Sequence, residues 1–267
     1  MIVTGHRVQV IIDALTVDPI AYMRCMLKYD RSNATLYISM KKLGMNPIVK
    51  DDFLYFTYNK HHAKVNMKDR LACFYEVFVK REYDHLLPAS GEHLLDIGAS
   101  LGDSAIYFAL NGAKVHAYEP YLGTYKKAKQ NIEGSGIQNI EIINAGIGNE
   151  GVVNLDGEIS DTVDCGLTQK GNIETQIFSL EQVVKKHDLN EALLKCDCEG
   201  HENEIILGSS NEILRRFKRM AIEYHFGSEK IMKKLEDAGF AVKKELKTDV
   251  VINGTRTVIG MIYATKK

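Results

Sequence analysis

Between Leu94 and Ser104 the chain reads Leu94-Leu95-Asp96-Ile97-Gly98-Ala99-Ser100-Leu101-Gly102-Asp103-Ser104, and this run constrains the fold more than any other. An apolar pair leads into an acid, two glycines bracket a turn of small residues, and a helical stretch follows from Ala105 to Leu110. The pattern predicts a strand, a tight turn and a helix. Glycine accepts positive φ and lets a ligand approach the backbone closely, while the helix start offers unpaired N–H groups to an anionic end. Such a turn suits a nucleotide-type ligand.

Its details select among nucleotides. A dinucleotide fold uses G-x-G-x-x-G here, with an acid about twenty residues on; this turn has G-x-x-x-G. Asp96 stands just before the first glycine, where it would repel a pyrophosphate and welcome an ammonium. S-adenosylmethionine carries that ammonium beside a carboxylate suited to the turn amides. The run from Ala113 to Tyr118 reads as a second strand that delivers Glu119, an acceptor for both ribose hydroxyls, with Pro120 at a first helical position. A third strand, Ile140 to Ile143, delivers Asn144-Ala145-Gly146 to the same sheet edge, where an amide and free backbone groups can read an adenine. The expected cofactor contacts are therefore Asp96, the turn Gly98-Ala99-Ser100-Leu101-Gly102 with Asp103 and Ser104, Glu119 and Pro120, Asn144 to Gly146, and Asp197 farther on.

From Gly91 onward strand and helix patterns alternate, as a parallel sheet covered on both faces requires. At 267 residues the chain has room for one large α/β domain and an appendage. We assign residues 1–88 to an α+β appendage that packs on the cofactor domain or covers its substrate, and residues 89–267 to the cofactor domain. In the appendage, Arg7 to Ile12 suggests a strand. Asp18-Pro19 suggests a helix start, with Ile20, Met23, Met26 and Leu27 on a core-facing stripe. Asn33 to Leu43 suits a helix or, through Leu36-Tyr37-Ile38, a strand. Ile48 to Met67 suits a hairpin turning at Asn59-Lys60-His61-His62, and Asp69 can cap a long helix through Phe78.

The second informative stretch is Asp197-Cys198-Glu199-Gly200-His201-Glu202, at the end of the apolar strand Leu193 to Cys196. Five polar or ionisable side chains around one glycine are unusual for a structural turn, and ligands bind at this end of an open parallel sheet. Asp197 is expected to face the reactive centre, favouring a sulfonium or accepting a proton from an attacking hydroxyl. Glu199, Glu202 and His225, the last just beyond the strand Arg219 to Tyr224, are the other candidates for acceptor orientation and proton removal. Cys196 and Cys198 point to one face and are expected to pack; as zinc ligands with His201 they lack a second pair. The basic run Arg215 to Arg219 reads as a solvated face. Strands around Asn253-Gly254 read as a terminal hairpin.

Taken together, these runs resemble the FkbM-type family of S-adenosylmethionine-dependent methyltransferases, from about Gly91 to the C-terminus. The likeness rests on Asp96 to Gly102, Tyr118-Glu119-Pro120, Asn144-Ala145-Gly146 and, most specifically, Lys195-Cys196-Asp197-Cys198-Glu199-Gly200-His201-Glu202, which is similar to the family's Lys-x-Asp-x-Glu-Gly-x-Glu. It departs from the pattern in Cys196 and Cys198, where aliphatic residues are usual, and in Ser179-Leu180-Glu181, where Thr-Leu-Asp is common. The resemblance implies a Rossmann-like class I methyltransferase fold, a mostly parallel seven-stranded sheet whose last strand is antiparallel. It also implies methyl transfer, often to a hydroxyl of a sugar or small metabolite.

Two rival functions share the cofactor half: an RNA methyltransferase that grips RNA with the appendage, and a non-catalytic cofactor-binding module. A third rival, a nicotinamide oxidoreductase, is disfavoured by the glycine spacing. A net charge of −1, from 34 basic against 35 acidic residues, speaks against nucleic acid as the partner. Five cysteines without paired spacing suggest reduced thiols and a cytoplasmic location. No signal peptide and no apolar run of about 20 residues suggests a membrane.

Overall fold

The computed structural model describes residues 13, 16–155, 171–252 and 255–267. Two compact units emerge: Met1–Glu82 with Gln130–Gln138, and Tyr83–Lys129 with Asn139–Lys267. The sequence reading places one boundary after residue 88, whereas the first unit ends at Glu82 and recruits a distant segment. Hydrogen bonding explains the recruitment. The amides of Asn66 and Lys64 donate to Asn131 Oδ1 and Ser135 Oγ at 3.0 and 2.9 Å, so the second segment covers a strand edge of the first.

In the first unit, helix α1 (Pro19–Lys28) begins as expected, with Asp18 Oδ1 accepting from the Ala21 amide at 3.0 Å. Its buried face is a different one. Ile20, Met23 and Leu27 are exposed while Tyr22 and Cys25 are buried, because a second apolar stripe one residue around the helix takes the core contact. Helix α2 (Arg31–Lys42) resolves the helix-or-strand ambiguity in favour of helix. Asn33 in its first turn is fully buried: its amide donates to the Met67 and Asp69 carbonyls and accepts from the Leu71 amide at 2.8–2.9 Å.

Strands β1 (Ile48–Lys50), β2 (Phe53–Tyr58) and β3 (His61–Asn66) form an antiparallel sheet rather than a single hairpin. The turn is Asn59-Lys60, both at positive φ, so His61 and His62 open β3 instead of lying in the turn. The helix expected after Asp69 is short: α3 (Ala72–Phe74) runs into a π-helical turn over Tyr75–Val79, and Leu71, not Asp69, stands at its N-cap. Phe56, Phe74 and Phe78 fill this unit's core. The strand read at residues 7–12 lies outside the described residues.

The second unit opens with a 3₁₀ turn at Asp84–Leu86. In order follow β4 (His93–Ile97), α4 (Asp103–Leu110), β5 (Lys114–Tyr118), α5 (Leu122–Gly134, whose last residues group with the first unit) and β6 (Ile140–Ile143). Next come β7 (Gly146–Ile147), β8 (Gly151–Leu155) and β9 (Ile173–Phe178), a small separate sheet in the order β7-β9-β8. Helix α6 (Leu180–Lys186) starts with the full capping box read from Ser179 and Gln182. Then come β10 (Ala192–Cys196), α7 (Glu202–Gly208), α8 (Asn211–Leu214), β11 (Phe217–Tyr224), α9 (Glu229–Asp237), β12 (Phe240–Ile252) and β13 (Thr255–Lys266). The turn residues Asn253-Gly254, and residues 156–170 of the segment between β8 and β9, lie outside the described residues.

The main sheet has seven strands in the order β12-β13-β11-β10-β4-β5-β6. Neighbours from β11 to β6 are parallel, and β13 runs antiparallel between β11 and β12. This is the class I methyltransferase arrangement the resemblance implies. After β4 the chain winds outward through β5 and β6, then returns to lay β10 on the other side of β4. The strand order therefore reverses between β4 and β10, and a ligand crevice forms at the carboxyl ends of such a pair.

The basic run is not simply a solvated face. Arg219 donates to the carbonyls of His85 and Leu87, both at 2.8 Å, and Arg215 donates to the Ala238 carbonyl at 2.9 Å. These guanidinium groups brace the loops whose carbonyls they reach. Among the described residues no helix is long and apolar enough to cross a membrane.

Candidate active site

Strand β4 ends at the switch point, and its register with β10 brings Gly98 and Asp197 out side by side. Gly98 has φ 78°, and a Cβ built on it would lie 1.8 Å from the Asp197 carbonyl oxygen, so only glycine fits. Ser100 and Gly102 also take positive φ, 47° and 82°, which curls the turn tightly before α4. The amides of Gly98 and Ala99 both donate to the Tyr118 carbonyl at 3.0 Å, anchoring the turn to the end of β5.

Asp96 is fully buried beneath this turn. Ser104 Oγ donates to its Oδ2 at 2.6 Å, and Lys195 Nζ lies 3.2 Å from its Oδ1. The same ammonium donates to the Gly98 carbonyl at 2.6 Å. Burial opposes the charge on Lys195, but the carboxylates of Asp96, Asp197 and Asp103 outweigh it and hold the lysine protonated. Asp96 thus fixes Lys195 and the helix start from beneath the turn. Lys195 was not among the sequence-predicted site residues. Its signal was a single lysine inside the apolar run of β10, opposite Asp96 in a parallel pair.

At the end of β5, Glu119 accepts from the amides of Ser100 and Tyr121, each at 3.0 Å. Burial lifts its carboxyl to about 7, against the pull of those two amides. Asn144 donates through its amide nitrogen to the Glu119 and Pro120 carbonyls at 3.0 Å, so that nitrogen shapes the acidic turn. Pro120 lies two residues ahead of α5 rather than at its first position. Ala145 is buried, and Gly146 pairs with Ile177, whose Cδ1 would lie 2.5 Å from a Cβ built on the glycine.

Beyond β10 the chain turns sharply, with Glu199 at φ 50° and Gly200 at φ 110°. Glu202 is fully buried: its Oε1 accepts from the amides of Cys198 and Gly200 at 2.8 and 3.1 Å and faces His225 Nδ1 at 3.2 Å. The other ring nitrogen of His225 lies 3.3 Å from Glu199 Oε2 and 3.9 Å from Glu223 Oε1. Burial alone would lower this imidazole, but Glu199 and Glu202 on its two nitrogens lift it to about 11. This setting favours the protonated form of His225, and Glu202 Oε1 is engaged by the loop amides and the imidazole.

Asp197 follows β10 directly. Burial raises its carboxyl to about 6 against the nearby Lys195, and Tyr83, missed in the sequence, donates a long 3.4 Å hydrogen bond to Oδ2. Cys196 and Cys198 bring their sulfurs within 3.7 Å as free thiols. Among the described residues they form no ligand group with His201.

These features fit S-adenosylmethionine. A tight glycine turn leads into a helix start, a buried carboxylate closes the second strand, and a second acid stands across the switch point. The sequence also matches the methyltransferase FkbM domain over residues 96–242. No curated protein is a significant match. Similar solved structures include the S-adenosylmethionine-dependent methyltransferase from Agrobacterium tumefaciens (11% identity, TM-score 0.49, covering 82% of this chain and 72% of that one). An rRNA methylase from Streptococcus thermophilus is similar at 16% identity, TM-score 0.45, over 70% and 94% of the two chains. M. jannaschii TYW2, solved with AdoMet, is similar at 14% identity and TM-score 0.44 over 82% and 89%. Similarity at this level says nothing about the acceptor. With the domain match spanning more than half its length, the chain belongs to the FkbM family of S-adenosylmethionine-dependent methyltransferases.

Proposed function

We propose that this methyltransferase methylates a hydroxyl of a small molecule or sugar, with Asp197 as the group that removes the hydroxyl proton. The observation that carries this reading is Asp197 itself. It lies at the switch point beside Gly98, and its carboxyl, lifted to about 6, is mostly ionised at neutral pH yet basic enough to take a proton.

S-adenosylmethionine, when bound, supplies a methyl group already activated on a sulfonium. The amides at the start of α4 and the turn from Gly98 to Gly102 hold its methionine end, with Asp96 and Lys195 fixing that turn from below. Glu119 takes the ribose hydroxyls, and the Asn144-Ala145-Gly146 segment lies along the adenine. Glu199 orients the acceptor, and His225, kept cationic, holds Glu199 in place. Positioning then supplies much of the rate.

A calorimetric titration with S-adenosylmethionine and its demethylated product tests the cofactor half. Glu119→Ala should weaken both by about 10- to 100-fold, the worth of the hydrogen bonds lost from the two ribose hydroxyls. Release of the demethylated product across a panel of hydroxylated small molecules and one of RNAs tests the rest. Asp197→Asn should abolish turnover with cofactor affinity little changed; full activity in that variant would remove Asp197 from the mechanism, and turnover confined to RNA would overturn the acceptor class.

A further inference from the structure

Away from the carboxyl ends of the strands, on the sheet face that α6 covers, a group of histidines has no part in the chemistry above. His116 in β5 pairs in register with Glu141 in β6, and His187 caps the C-terminal end of α6. His116 Nδ1 lies 3.4 Å and His187 Nδ1 3.6 Å from the same oxygen, Glu141 Oε2, and the ligand atoms of the three residues all fall within 4.8 Å of one another. A tetrahedral ion about 2.0–2.1 Å from each donor sets donor–donor edges of roughly 3.3 Å. The His187 contact of 3.6 Å is too long for a hydrogen bond, the His116 contact of 3.4 Å is a long one, and both are close to that edge.

The outer nitrogens strengthen the case. His116 Nε2 lies 3.1 Å from His93 Nδ1, and His187 Nε2 lies 2.7 Å from the Tyr118 hydroxyl. If each Nε2–H donates to that partner, both Nδ1 lone pairs are left free to face the Glu141 carboxylate. Outer partners that set the tautomer in this way are what ligating histidines require. His187 is nearly buried and His116 largely so, while Glu141 is about half exposed, which leaves solvent a path to the fourth position.

We propose that His116, His187 and Glu141 form a binding site for a divalent transition-metal ion of the zinc class, separate from the methyl-transfer site. Two imidazoles, one carboxylate and an open position are a donor set such ions favour. The ion would clamp the C-terminal end of α6 to β5 and β6.

The test uses the full chain, stripped of metal by a chelator, and Zn²⁺ titrated in competition with a chromophoric chelator. Co²⁺ serves as a spectroscopic substitute, and melting is followed with and without Zn²⁺. One equivalent should bind, Co²⁺ should give a ligand-field spectrum, and Zn²⁺ should raise the melting temperature. Glu141→Gln, at a half-exposed position, and His187→Gln should each weaken binding by more than about 10-fold and remove the thermal shift. No binding by the unaltered chain would overturn the proposal. So would binding that survives both variants but is lost in Glu223→Gln, because the described residues hold one other such group, Asp197, Glu223 and His225.

Discussion

Only a hydrogen fits on the Cα of Gly98, because the Asp197 carbonyl occupies the place of a side chain. Gly98→Ala meets both that contact and a positive φ, and the obstruction is backbone that cannot swing aside. We expect a loss of more than about 3 kcal/mol, read as a lowered urea midpoint, with cofactor binding lost as well. Asp197 calls for a different experiment. A base must be ionised to accept a proton, so turnover should rise with pH as Asp197 deprotonates, with its half-point near 6. Asp197→Asn should leave no such limb in any residual rate. The candidacy of Asp197 was legible in the sequence from its place at a strand end. The raised pKa of His225 was not, since it depends on Glu199 and Glu202 reaching it from another segment.

Strands β4 and β10 are held together by more than their ladder. Lys195 sits between Asp96 and the Gly98 carbonyl, a buried cation that ties one strand to the other's terminal turn. Lys195→Met keeps the bulk of the side chain but leaves Asp96 buried without its counter-charge. Breaking a buried pair in this way costs about 3–5 kcal/mol, and denaturant unfolding should show it. Adding Asp96→Asn should recover part of that loss, since the stranded charge is then gone. Among the elements, β4, β5, β6, β10 and the capped α6 were legible because apolar runs ending in turn chemistry are local signals. The buried face of α1 was not, as two stripes compete on one helix and only packing chooses between Met23 and Cys25.

Across the whole molecule, pH acts on stability through His225. Its folded pKa of about 11 lies above the ordinary histidine value of 6.5, so over that interval the native state keeps a proton that the unfolded chain releases. The stabilisation from the His225 carboxylate contacts is therefore full below about pH 6.5 and declines as pH rises towards 11. Denaturant midpoints should fall across this alkaline interval, and His225→Gln should flatten the decline. A wild-type midpoint unchanged from pH 7 to 10 would show that the imidazole is not held protonated. The fold's other large-scale feature is the reversal of strand order between β4 and β10, which sets the glycine turn against the acidic loop although about a hundred residues separate them.

The fold class, the strand-turn-helix at Asp96 to Ser104, the acid ending β5 and the acidic run after β10 can all be read along the chain, because each is written in residues close together. Tertiary structure alone decided what those groups can do. It set Lys195 under the turn, committed the Asn144 amide nitrogen to the main chain, and kept His225 charged while lifting Asp197 towards neutrality. It also drew residues 130–138 to the edge of β3 and gathered His116, Glu141 and His187 from three elements. Charge state and partnership depend on burial and on neighbours from distant segments, and no local pattern encodes either.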